Sequence, residues 1–269
     1  MTTGYNSLSY GDLIAAALLI ALNGGISALF RLGLEKSLAI ATVRMVVQLA
    51  LVGFVLKLVF TTAHPGVTML VALVMVAIAG YEVWARQTSP ARGPWTAGLG
   101  TATLLLVGLI TTFYVTYVVM GAQPWHQPSV FIPILGMILG NALTGVSLAL
   151  ETITQTAKRE RNAIEARLAL GHKRFQAFDI VMRRALTTAM MPIVNSMAVA
   201  GVVSLPGMMT GQILSGVDPV EAAKYQVMIM FAISGSTALA VMAAVVGGVY
   251  LLSDERSRLR LDRLVTKAA

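Results

Sequence analysis

Seven stretches of this sequence, near residues 11–30, 37–60, 66–84, 97–120, 130–150, 185–205 and 225–252, are apolar over the length needed to cross a bilayer. A helix takes about 20 residues to span the hydrocarbon core. These runs are too long for strands and lack sustained period-two alternation, so each is read as a helix. A helix also satisfies its own backbone hydrogen bonds in lipid, which an isolated strand cannot do. The bulk numbers agree: 57% of the 269 residues are hydrophobic and 12% charged, about half the charged share of a soluble domain. The expected fold is all-α, a single polytopic domain over residues 1–269.

The net charge of +8 would suit a nucleic-acid binder, but its distribution points elsewhere. Arg31 and Lys36, then Arg86 and Arg92, lie between apolar runs. Lys158, Arg159, Arg161, Arg167, Lys173, Arg174, Arg183 and Arg184 fill the insert 151–184. Arg256, Arg258, Arg260, Arg263 and Lys267 follow the last run. The alternate connections hold little beyond Lys57, Lys224 and the uncharged stretch 121–129 around Trp125. With an odd number of spans every basic segment falls on one side, and the positive-inside rule predicts an outside N-terminus and a cytoplasmic C-terminus. No nucleic-acid partner is expected; the bilayer is. The polar first ten residues carry no basic n-region, so no cleavable signal peptide is expected. Without cysteine there is no disulfide or thiolate metal site.

Two regions interrupt the simple pattern. In the insert, Asn162 followed by Glu165 reads as an N-x-x-E capping box. It predicts a helix over 163–170 that ends at Gly171 as an αL C′ residue. Ile164 and Leu168 share one face of it, with Leu170 off that stripe. Such a helix suits either a groove on a partner protein or an anionic lipid surface. The second region, 204–225, holds three glycines, two prolines and the pair Met208 and Met209. Within it Asp218, Pro219 and Glu221 read as a cap for the last helix.

Polar residues inside the spans are the candidates for a pathway. Arg44 lies about 10 Å into the second run by helical rise, with Gln48 four residues on. A buried charge in lipid is read as functional, against the alternative of snorkelling to phosphates. Asn141 and Asn195 read as interhelical hydrogen bonds before substrate ligands, and Gly136 with Gly140 as a close-packing G-x-x-x-G. Ser204, Met208 and Met209 complete the set. Thioethers can ligate soft metals, but methionine packs readily in apolar cores and the chain has 15 of them. His64, His126 and His172 have no ligand spacing.

Glu165-Ala166-Arg167-Leu168-Ala169-Leu170-Gly171 resembles the E-A-A-x-x-x-G signature of ABC-transporter permeases, with Arg167 in place of the second alanine and without the usual I-x-L-P downstream. SLPGMMTGQILSGVDPVEAAKYQVMIMF (204–231), IPILGMILGNALTG (132–145) and the R-x-x-x-Q of Arg44 and Gln48 resemble the bacterial FetB-type permease family. That family is associated with iron export, and its plant relatives with aluminium tolerance. The resemblance implies a homodimeric permease in the bacterial inner membrane, worked by a FetA-like ATP-binding subunit. Its coupling residues would be Asn162, Glu165, Ala166, Arg167, Leu168 and Gly171. The chain has no G-x-x-x-x-G-K-[ST] loop to cradle phosphate, so no cofactor and no ATP hydrolysis of its own are expected. The alternatives are an ion-gradient transporter, for which the spans hold few acidic residues, or a membrane adaptor without transport.

Overall fold

The computed structural model describes residues 9–62, 64–93, 95–254, 256 and 258–265. The polar start read above, up to Leu8, and Lys267 of the basic tail lie outside them. The described residues are overwhelmingly helical, without a β-sheet. Six helices are long and apolar enough to cross a membrane by length and composition, and the chain is an all-α, multi-pass membrane protein. It divides into two compact units, residues 1–62 with 214–217, and residues 63–213 with 218–269.

The first unit is a helical hairpin, α1 (Tyr10–Leu29) and α2 (Glu35–Thr62). Ser9 caps α1 in a capping box with Asp12. The turn needs left-handed backbone at Arg31, φ 53°, and Gly33, φ 70°. Ser27 fastens it, donating from Oγ to Glu35 at 2.8 Å and accepting from the Leu34 N–H at 3.1 Å.

The second unit contains α3 (Pro65–Ala85), α4 (Trp95–Phe113) with a π-helical continuation (Tyr114–Val119), α5 (Pro128–Arg159), α6 (Arg161–Ala169), α7 (Arg174–Ala177), α8 (Asp179–Val199), all but the last residue of α9 (Gly207–Leu214), and α10 (Pro219–Leu252). Its hub is α5, which packs against α3, α4, α8 and α10. The reason is in its periodicity. Leu135, Leu139, Ala142, Val146, Ala149, Ile153 and Ala157 recur every three or four residues, and all are buried. That stripe continues past residue 150, so α5 runs into the insert as far as Arg159, where the sequence alone suggests that the span has ended.

The close helix contacts are made by glycines other than the expected pair. A Cβ on Gly145 would lie 2.8 Å from Val241, and one on Gly100 would lie 2.8 Å from Val83; on Gly80 it would collide with Thr101. These positions let α5 approach α10 and α3 approach α4. Gly140 faces open space, and a Cβ on Gly136 would make ordinary contact with Met75. The G-x-x-x-G therefore does not bring helices of this chain together.

α8 is 21 residues long but begins with Asp179, Arg183 and Arg184, and it is not among the six helices long and apolar enough to cross a membrane. It also ends at Val199, short of the expected 205, in a tight turn where the Gly201 N–H donates to the Ser204 carbonyl at 2.8 Å.

Candidate functional site

The insert forms a short hairpin at the end of α5. α6 starts at Arg161, one residue after α5 stops, and Glu160 serves both as the C-cap of α5 and as the N-cap of α6. The expected capping box is not made. Asn162 lies inside the helix, so it lacks the extended backbone that an N-cap requires, and no side-chain cap bond is present. Glu165 instead accepts from Arg161 Nε at 2.9 Å, an exposed i,i+4 pair.

The other end follows the sequence closely. Gly171 takes φ +86°. Its N–H donates to the Leu168 carbonyl at 3.0 Å, and the His172 N–H to the Arg167 carbonyl at 3.1 Å. Together these two bonds are a Schellman motif, in which the helix stops on a left-handed residue.

The faces of α6 separate cleanly. Ile164 is 2% exposed and Leu168 packs on the main core, which includes Ala177 and Val181, so this stripe holds the helix to its own chain. Asn162, Glu165, Ala166 and Ala169 are exposed, and Leu170 is 78% exposed. Arg167 is half-buried and reaches back to the Gln176 carbonyl at 3.5 Å.

Around this hairpin lies a polar network that the sequence does not announce. Arg174 of α7 stands 4.9 Å from the centre of the Tyr250 ring and donates to the Asp254 carbonyl at 3.4 Å. Phe175 meets the same ring edge-on at 5.6 Å. Lys158 Nζ donates to Ser89 Oγ at 2.6 Å, and buried Gln87 Nε2 donates to the Ser147 carbonyl at 3.1 Å. The segment after α10 folds back over the α3–α4 loop. The Arg92 N–H donates to the Arg263 carbonyl at 2.7 Å, and the Val265 N–H to the Pro90 carbonyl at 2.8 Å. The hairpin, the α3–α4 loop and the end of α10 thus form one knitted surface. Only the basic residues within it gave any signal in the sequence, and that signal was charge, not pairing.

Two carboxylates hold this returning segment in shape. Asp262 is drawn down to about 2 chiefly by hydrogen bonds from the Arg260 side chain. Asp254 lies below the usual carboxylate range chiefly because the Arg258 N–H donates to it at 2.8 Å.

The intramembrane candidates are distributed over both units. Arg44 and Gln48 lie four residues apart on α2, both exposed. Asn141 is exposed on α5 and donates to the Met137 carbonyl of its own helix at 2.9 Å, and no hydrogen bond from it to another helix is present among the described residues. Asn195 is exposed on α8, with no hydrogen-bond partner among the described residues. Thr144 on α5 and Thr187 and Thr188 on α8 add further hydroxyls to the open faces of these two helices. Ser204 is exposed in the turn after α8, and its carbonyl is the one that accepts from Gly201. Met208 packs on a second buried cluster that includes Ile134, Ile138 and Ile193, and Met209 beside it is half-buried. Asp218 caps α10 as expected, accepting from the N–H groups of Val220 and Glu221 at 2.9 and 3.2 Å. Glu221 pairs with Lys224 instead of returning to the cap. Among the described residues no group of three or more His, Asp or Glu side chains is placed to hold a metal ion.

A bundle of apolar spans with a capped hairpin at its basic end defines a multi-pass integral membrane protein. The chain belongs to the family described as "Uncharacterised protein family (UPF0014)", whose model matches residues 10–251. It is 34% identical to the UPF0014 membrane protein YjkA of Bacillus subtilis over 78% of this chain and 82% of that one. It is 35% identical to the Arabidopsis thaliana protein named ALUMINUM SENSITIVE 3, over 80% of this chain and 77% of that one. To the Escherichia coli protein named "Probable iron export permease protein FetB" it is 32% identical, over 89% and 90%. No solved structure matches the chain.

Proposed function

We propose that this chain is the permease subunit of an ABC transporter, assembled as a homodimer in the bacterial inner membrane and energised by a separate ATP-binding subunit. The observation that carries the reading is the division of α6. Ile164 and Leu168 anchor it to the core, while Asn162, Glu165, Ala166 and Leu170 face outward on a helix closed by Gly171. A rigid helix with one face committed to its own bundle and one face free suits a partner's groove. It would relay a push from that partner through Arg174 and Tyr250 to α10.

The transport path would run along the polar faces of α5 and α8, where Asn141 and Asn195 are exposed and Thr144 is half-exposed. Amide and hydroxyl groups facing hydrocarbon are unfavourable, and a second copy or a hydrated path would satisfy them. Outward transport of a metal ion, iron first among the cargoes to test, takes its support from the name of the E. coli relative. The chain itself would not be catalytic.

The test is reconstitution of the chain with its cognate ATP-binding subunit in proteoliposomes, following ATP-dependent movement of ferrous iron. Transport lost in Glu165→Ala combined with Gly171→Val, with insertion unchanged, is the expected result. Wild-type transport and wild-type stimulation of hydrolysis in that variant would reject the coupling assignment.

A further inference from the structure

Between the end of α4 and the first two-thirds of α10 lies an open groove of about 1000 Å³. Its α10 wall recurs every three or four residues from Val220 to Leu239, about 28 Å at 1.5 Å per residue. The opposite wall includes Ile110 and then Tyr114 and Val119, where the backbone changes from α to π geometry. The groove stays open because α10 presents small residues along it. Ala223, Ala232 and Gly235 line the groove, and a Cβ built on Gly235 meets nothing within 4 Å.

Chemistry varies along its length in one direction. From Val227 to Leu239 the α10 wall is almost wholly apolar, with Val227, Phe231 and Leu239 each at least half exposed. At the end where α10 begins stands an ion pair, Lys224 Nζ to Glu221 Oε1 at 2.6 Å, with both side chains more than half exposed. The distance from Lys224 to Leu239 is about 22 Å by helical rise. A single leaflet occupies about 15 Å of hydrocarbon beneath its head groups. The apolar stretch from Val227 to Leu239, about 18 Å by helical rise, is close to one leaflet deep, with charge at the end above it.

We propose that this groove binds a phospholipid with a primary-amine head group, its acyl chains lying along α10 between Val227 and Leu239. The ion pair selects the head group. An anionic lipid would meet the Glu221 carboxylate as well as the Lys224 ammonium. A head group carrying both a phosphate and a primary amine offers an acceptor for Lys224 and a donor for Glu221, and both interactions are charge-assisted hydrogen bonds. A quaternary amine has no N–H to donate, so it satisfies only half of the pair. Tyr114, 55% exposed, lies on the facing wall between Ile110 and Val119.

The full-length chain purified in mild detergent is the material for the test, with bound lipid measured by native mass spectrometry and after extraction. The expected result is an amine phospholipid retained at a share several times its share of the source membrane. Gly235→Trp fills the groove without displacing any neighbour at its Cβ, and bound lipid falls about tenfold at unchanged helicity. Glu221→Gln with Lys224→Gln keeps lipid in the groove but retains ethanolamine, glycerol and choline lipids equally. Equal retention of the three head groups by the unaltered chain overturns the proposal, as does undiminished lipid in Gly235→Trp. Because the chain has no cysteine, Phe231→Cys gives a clean third readout. Efficient disulfide-linked dimers in the membrane would show that a second copy fills the groove, which also overturns it.

Discussion

The guanidinium of Arg174 lies 4.9 Å from the ring centre of Tyr250, joining the hairpin after α5 to the last turns of α10. The two residues are far apart in sequence, and the contact is reinforced by Phe175 against the same ring at 5.6 Å. An aromatic and cationic contact therefore ties α7 to α10. Tyr250→Ala should cost about 1–2 kcal/mol of thermal stability in detergent, from the lost cation–π and edge-to-face contacts. A double-mutant cycle with Arg174→Ala should be non-additive. Additive effects would mean that the pair is only adjacent.

Gly171 sits at φ +86° with nothing near its missing Cβ, so space is free and only backbone conformation resists a side chain. Gly171→Asn should be close to neutral, because asparagine tolerates the left-handed region. Gly171→Val should cost about 1 kcal/mol or more and loosen the end of α6. Hydrogen exchange of the 162–172 amides would separate the two, and equal exchange in both variants would remove the conformational argument.

The segment after α10 is held by carboxylates whose folded pKa values lie below their ordinary ones, Asp262 at about 2 and Asp254 also lowered. A depressed carboxylate stabilises the folded form above its ordinary pKa of about 3.9, and that contribution is lost as pH falls through the folded value. The tail should therefore stay docked on residues 90–92 from neutral pH down to about 4 and loosen between about 4 and 2. Limited proteolysis with an acid-active protease across that window is the measurement. Release already at pH 6 would mean that other groups control docking.

Arg44 is tested by a pair of substitutions. A pathway residue should lose transport in Arg44→Gln with abundance and assembly unchanged, and Arg44→Lys should also be impaired, because lysine lacks the planar fork of donors. A snorkelling anchor would accept lysine with little loss. Vesicle transport at matched membrane abundance distinguishes the two, and wild-type rates in both variants would remove Arg44 from the path.

Orientation is open to the same directness. Reporter fusions after Lys36, Ala91, Arg161 and Ala269 should all report the cytoplasm, and fusions near Pro65 and Gln127 the exterior, as the basic loops predict. An exterior signal after Arg161 would place α6 out of reach of any ATP-hydrolysing partner.

Much of this molecule is written in short-range pattern. Apolar run length determined the long helices, and the Asp218-Pro219 pair and Gly171 marked where α10 begins and α6 ends, because caps depend on a few neighbouring residues. The i,i+4 pairing of Ile164 and Leu168 marked the apolar face of α6 for the same reason, but only the packing shows that this face turns to the chain's own core. What the sequence left open are the relationships between residues distant along the chain. Asn162 has the composition of a cap, but α5 keeps burying its stripe as far as Ala157, and after the single break at Glu160 the next helix begins at Arg161, which leaves Asn162 inside it. Gly136 and Gly140 look like a packing motif, whereas close approach falls to Gly80, Gly100 and Gly145, whose neighbours lie on other helices. The bonds from Lys158 to Ser89 and from Arg92 to Arg263, and the groove beside Gly235, exist only once separate spans are brought together. Periodicity specifies which face of a helix is buried; only tertiary packing specifies what it is buried against.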